Sequence, residues 1–357
     1  MMAFGALSFL LAVITGIWRA ALTRGFLLSP IPEWWPPHGH LMIGGFLATL
    51  IMFERMVALR IHFLIWVPYS YALTAIFLHT GWWPLRVVHF AALAGWLWHC
   101  RKAIQVFHNK EKPLVESVAY LTLSLALNYP GGLPASPTVS LAALSFPVAA
   151  IAVERLELSL QFQRKGSRAI LWGLILWCIL WISSVWTAFP PLNLMGFLTL
   201  LLFVGITCFD TALRRSPQLL TGGLHSFLRV ALYVAYGWLL LSSLAMILWN
   251  RLEGAIAKDL VFHLIGLGFI FSMILAHAPI ILASTLGKLP PLKPAWVPFV
   301  LFQAMTVLRA VGDLSVSHSV SFWTWTGWIS GVGHLFAFLG YVAVSFTSLR
   351  RPAPPSR

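Results

Sequence analysis

Twelve histidines are spread through a chain of 357 residues in which only 10% of side chains are charged. Imidazole can donate, accept, carry a proton near neutral pH or ligate a metal. In hydrocarbon it must find a hydrogen bond, a metal or a water-lined cavity, so a histidine inside an apolar run is a functional candidate from the outset. The stretch Asp259 to Gly287, DLVFHLIGLGFIFSMILAHAPIILASTLG, holds two of them, His263 and His277, separated by 14 positions. On a regular helix they lie within about 40° of one face and about 21 Å apart along the axis. His38 and His40 open a second apolar run in WWPPHGHLMIGGF.

Two imidazoles from different helices at one depth can ligate a haem iron from both axial sides, with the porphyrin edge buried among Phe, Trp and Leu. His263 with His38 or His40 is the candidate pair. Gly44, Gly45, Gly266 and Gly268 would let a flat macrocycle or another helix come close. His38 and His40 point about 160° apart on a helix, so both can face one iron only if Pro36–Pro37 leaves the start of the run unwound. For each of these histidines the competing role is a hydrogen bond to a neighbouring helix carbonyl. Arg309 and Asp313, four positions apart, read most simply as a helix-surface ion pair. Arg309 pairing with a haem propionate is the alternative.

The elements that must carry these residues are membrane helices. The chain is 59% hydrophobic with mean hydropathy +0.84, which excludes an ordinary soluble domain. Its apolar runs are continuous for about 20 residues, where barrel strands would alternate over about 10. Breaks at Pro, Gly and charged residues leave twelve candidate spans: 3–22, 39–59, 62–80, 84–107, 114–129, 137–160, 168–188, 191–210, 221–248, 260–286, 294–312 and 322–347. The fold expected is an all-α membrane protein of about twelve transmembrane helices. It forms one polytopic domain over 1–357, with a disordered tail at 349–357. Met1 to Trp18 lacks a basic leading segment and a small-residue cleavage site, so it reads as a retained first helix.

An even number of spans puts both termini on one side. With that side cytoplasmic, 18 of the 24 Lys and Arg residues fall inside and six (Arg19, Arg24, Arg86, Arg251, Lys258, Arg309) outside. The positive-inside rule therefore explains the formal charge of +14 without nucleic acid. His38, His40 and His263 then share the outer leaflet. His79, His89 and His318 lie nearer the outer interface, where they would be wet. His225 and His277 fall toward the cytoplasmic half, His99 and His334 near the middle, and His62 and His108 in basic breaks. A second haem or metal site could use His277 with His99, His225 or His334. Trp34–Trp35, Trp82–Trp83, Trp249, Trp296 and Trp323–Trp325 fall where interface anchors belong. Cys100, Cys178 and Cys208 stand far apart in apolar runs and read as packing residues. An echo, FERMVALR at 53–60 and VERLELSL at 153–160, sets buried Glu beside Arg at two cytoplasmic helix ends. It ties helices together or, in the sharper reading, forms a path for protons or ions.

His38–Gly39 followed by Leu41–Met42–Ile43 resembles the HGxxMIF start of the second helix in the catalytic subunit of haem–copper oxidases. The twelve spans, the inside termini and a histidine-bearing tenth span are similar to that superfamily's subunit I bundle. VERLELS, GFIFSMILAHAPIIL and LRAVGDL resemble bacterial haem–copper-oxidase-like membrane proteins related in outline to NnrS. The resemblance implies low-spin haem b at His38. It stops short of the oxygen-reducing centre, because no histidine lies between His108 and His225 and the paired tenth-helix histidines are absent. Copper is therefore not expected. What the resemblance implies is a haem-binding protein of the bacterial inner membrane, acting in electron transfer or in sensing or handling nitric oxide or copper, with lipid around it and a redox protein as possible partner. A secondary transporter, with helices broken at Asn128–Pro134 or Ala276–Pro279, is the rival class. A non-catalytic assembly protein is the third.

Overall fold

In hydrocarbon every backbone N–H and C=O must be satisfied within its own segment, which leaves an apolar run little choice but to coil. The computed structural model describes residues 2–23, 29–59, 65–106, 110–133, 136–161, 166–210, 213, 223–252, 254–286, 292–317 and 325–347. The tail 349–357 and His62, His108 and His318 lie outside them, as does the side chain of His225. Twelve long helical segments appear among the described residues. They are α1 (Met2–Thr23), α2 (a π-helical His40–Leu47 running into Ala48–Leu59), α3 (Trp66–Phe77), α4 (Trp83–Val106), α5 (Glu111–Leu127) and α6 (Pro137–Gln161). There follow α7 (Ser167–Thr187), α8 (Leu192–Phe209), α9 (Gly223–Ile247), α10 (Gly254–His263, a π-helical Leu264–Phe271, then Ser272–Leu286), α11 (Leu292–Ser317) and α12 (Thr326–Thr347).

Eight of these, α1 and α6 to α12, are long and apolar enough to cross a bilayer. The protein is an all-helical, multi-pass membrane protein. The remaining helices, α2 to α5, are shorter or carry charges such as Glu54, Arg55, Arg101 and Glu116. Glu54, Arg55 and Glu116 are tied to partners. Arg55 on α2 reaches Glu116 on α5 at 2.9 Å and Glu154 on α6 at 3.3 Å. Arg155, beside Glu154 in the second copy of the echo, grips Asp210 just past α8 with Nε–Oδ2 of 2.9 Å and a second bond of 2.8 Å. The echoed Glu–Arg pairs thus bind four helices at one end of the bundle, the two-point Arg155–Asp210 contact being of the stronger, charge-assisted kind.

Cα proximity divides the chain into two compact units, Met1–Asp210 with Ser243–Glu253, and Thr211–Ser242 with Gly254–Arg357. In the first unit α5 packs against α6 and α7, and α4 against α3 and α5, around fully buried Tyr71, Trp96, Tyr120, Phe146 and Trp181. In the second, α11 packs against α10 and α12 around Phe227, Phe269, Phe299 and Phe302. Outward-facing Trp172, Leu176, Val297 and Phe336 are the counterpart of these cores, apolar side chains suited to lipid.

Four readings of the sequence change here. Ala276–Pro279 runs inside a continuous helix, and the described part of 128–134 is the connection between α5 and α6, so neither is a helix broken within a span. Trp249 is buried rather than an interface anchor, whereas Trp34, Trp82 and Trp83 are well exposed. Cys208 faces outward, while Cys100 and Cys178 pack inside. His263 and His277 are separated by a π-helical stretch whose wider turn advances fewer degrees per residue, so the common face computed for a regular helix does not carry over.

Candidate functional site

The helix that carries His38 and His40 starts directly after Pro36–Pro37, with Gly39 already helical at φ −63° and ψ −39°. Because the backbone is wound rather than unwound there, the two rings go opposite ways. His38 Nδ1 lies 2.6 Å from Ala12 O on α1, and His40 Nδ1 lies 2.7 Å from Ala75 O on α3. A carbonyl can only accept, so both rings hold their proton on Nδ1. His40 then accepts the Leu133 backbone N–H on Nε2 at 3.3 Å and is completely enclosed. Both of its nitrogens are used, and its position is that of a hydrogen-bonded packing residue. His38 stays half-buried on the wall of an open cleft of about 410 Å³, lined also by Thr15, Arg19, Glu33 and Trp35. Trp35 Nε1 donates to Thr15 Oγ1 at 2.8 Å, bracing that wall against α1.

In the second unit His263 closes the α-helical turn before Leu264–Phe271. Its Nδ1–H is donated to Asp259 O one turn back at 2.9 Å, and the Asp259 carboxylate stands 3.4 Å from the same nitrogen. No group among the described residues takes Nε2. Asp259 also binds Arg309 NH2, and Arg309 Nε donates to Asp313 Oδ2 at 2.8 Å. Arg309 NH1 approaches Gly327 O at 3.5 Å. The Arg309–Asp313 pair read as lying on the helix surface is in fact buried, with Arg309 8% and Asp313 0% exposed. Held between two carboxylates, the guanidinium has no uncompensated charge to offer a propionate. Ligand atoms of Asp259, His263 and Asp313 also lie within 4.8 Å of one another, a spacing a metal ion could bridge, but Arg309 already supplies the cation.

The other candidates are distributed between the two units. In the second, His277 Nδ1 donates to Met273 O at 2.7 Å, and His334 is committed through Nε2 to Thr306 Oγ1 at 3.0 Å, with the Phe302 ring against it. In the first, His99 is buried, stacked on Trp96 at 4.8 Å. His89, expected to be wet, is fully buried in a hydrogen-bonded chain that joins Thr74 Oγ1 at 3.0 Å and Ser124 Oγ at 3.2 Å. Tyr71 OH meets the same Ser124 at 2.9 Å. In this His89, Thr74, Ser124 and Tyr71 chain the buried polar groups satisfy one another, which makes their desolvation tolerable. His99 Nδ1 and His334 Nδ1, by contrast, are buried without a hydrogen-bond partner among the described residues.

A family described as a domain of unknown function, DUF8744, matches residues 1–348. The chain belongs to that family. No curated protein matches it. A DUF8744 chain thus brings together Asp259, His263, Arg309 and Asp313, of which Asp259 was missed in the sequence although its i, i+4 spacing to His263 was in plain view. The partners of His89 and His40 gave no such signal, since they come from segments 15 to 93 positions away.

Proposed function

We propose that this protein is a haem-binding protein of the bacterial inner membrane, with twelve spans, both termini in the cytoplasm and an oxidase-like bundle, acting in electron transfer or in the sensing or handling of nitric oxide or copper. The observation that carries the reading is His263. Its Nδ1–H is pinned to a backbone carbonyl, its tautomer is therefore fixed, and its Nε2 lone pair is left unclaimed by any described residue. That is the state an axial ligand requires, and a carboxylate beside Nδ1 strengthens the ring as a base. Among the outer candidates of the first unit, His38 has the same Nδ1-to-carbonyl anchoring and borders a cleft, whereas His40 has no nitrogen to spare. Each ring, within its own unit, thus has the Nδ1 anchoring that an axial ligand needs.

When bound, haem supplies one-electron exchange at its iron. The chain's own contribution is to fix each imidazole by its Nδ1–H and to hold Arg309 between the carboxylates of Asp259 and Asp313 beside His263. His277, anchored in the same way to Met273 O, is a second ligand candidate. A haemochrome assay of membranes tests the assignment. Replacing His263 or His38 by Ala should lower haem content several-fold, and retention of wild-type haem in His263→Ala would sink the assignment.

A further inference from the structure

Tyr71 on α3, Ser124 on α5 and His89 on α4 meet inside the first unit, each of them fully buried. The hydrogen bonds between them run one way. Thr74 Oγ1 gives its single proton to Ser70 O at 2.6 Å, so toward His89 Nδ1, 3.0 Å away, it can only accept. His89 therefore carries its proton on Nδ1 and a lone pair on Nε2. Ser124 Oγ, 3.2 Å from Nε2, donates to that lone pair and in turn accepts the Tyr71 phenol at 2.9 Å. A phenolic proton is thus aimed through one hydroxyl at a basic nitrogen.

The same phenol ends a run of electron-rich rings. Centroids are 5.7 Å apart for Tyr71 and Tyr120 and 4.8 Å apart for Tyr120 and Trp96, and both of these neighbours are fully buried as well. Loss of an electron makes a phenol or an indole strongly acidic, so the electron vacancy settles on the ring that can release its proton. Tyr120 OH points to Ala48 O at 3.2 Å, a carbonyl that takes no proton, and Trp96 Nε1 has no partner among the described residues. Of the three rings, Tyr71 is the one that leads to a base.

We propose that Tyr71 is a redox-active tyrosine that traps one-electron oxidants of the lipid peroxyl class, the radicals that autoxidation of surrounding acyl chains produces. The ring yields one electron. Its O–H bond breaks as the proton passes to Ser124 Oγ, while the Ser124 proton passes to His89 Nε2. The products are a neutral tyrosyl radical and a His89 imidazolium whose two N–H groups are accepted by Thr74 and Ser124. The peroxyl radical takes the electron, and a proton from water at the membrane surface, and leaves as the hydroperoxide. None of His38, His263 and His277 takes part, so the site stands or falls independently of haem.

The test uses the full-length protein in vesicles of polyunsaturated phosphatidylcholine, exposed to a lipid-soluble azo initiator, freeze-quenched and read by electron paramagnetic resonance. Wild type should give the signal of a hydrogen-bonded neutral tyrosyl radical. Tyr71→Phe, which keeps the ring against Tyr120 and deletes the hydroxyl, should lose it. Ser124→Ala, which cuts the path to His89, should lower it several-fold. His263→Ala should leave it intact. The absence of a tyrosyl signal in wild type, or an equal signal in either Tyr71→Phe or Ser124→Ala, would overturn the proposal. A signal lost in His263→Ala would assign the radical to haem chemistry and overturn it too.

Discussion

At the scale of single residues, tautomer and partner decide which histidines are available. His40 and His89 have both nitrogens engaged inside the protein, whereas His263 has one pinned and one unclaimed among the described residues. This distinction could not be read from spacing, because the acceptors that pin the rings are backbone carbonyls of other helices. His40→Ala should leave any haem signal largely intact yet destabilise the fold by about 1–3 kcal/mol, the cost of a buried N–H and C=O left without partners. Comparing thermal unfolding with haem content in the same samples checks both halves. The Arg309 cluster makes a second residue-scale prediction. Asp313→Ala strips a fully buried carboxylate from a buried guanidinium, and should cost about 3–5 kcal/mol in denaturant unfolding. A loss within experimental error would mean that the pair is not desolvated as described.

At the scale of elements, two π-helical stretches, His40–Leu47 and Leu264–Phe271, each adjoin a histidine and each contain glycines. Helix positions were legible from hydropathy alone, since lipid forces apolar runs to coil. The π turns were not, because Gly44–Gly45 and Gly266–Gly268 reveal only that something comes close. What comes close is specific. A Cβ on Gly44 would lie 2.6 Å from Ala75 Cβ, and one on Gly268 2.7 Å from Trp238, while Gly266 has nothing within 4 Å. Gly268→Ala should therefore destabilise by about 1–3 kcal/mol through overpacking. Gly266→Ala should be neutral or stabilise by up to about 1 kcal/mol, the helix-propensity gain. Equal effects of the two substitutions in thermal unfolding would contradict the packing described for α10.

For the whole molecule, composition was enough to fix an all-helical membrane protein, and charge asymmetry supplied the orientation proposed for it. Composition could not divide the chain into two compact units, because that depends on which helices pack together and apolar runs all look alike. The topology is checked by reporter fusions. Breaks 101–112, 164–168 and 214–215 should report from the cytoplasm and 129–138 from the outside, and a cytoplasmic signal from 129–138 would invert every depth used in the haem reading. Oxygen consumption by the purified protein with an added electron donor should stay at background, as the missing histidines between His108 and His225 require. The most direct test of the central claim is the visible absorption spectrum of the purified full-length protein, first oxidised and then reduced with dithionite. A Soret band that shifts and an α band that sharpens on reduction, both diminished in His263→Ala, is the result predicted. A colourless protein, prepared from cells supplied with haem precursors and folded by circular dichroism, would contradict it.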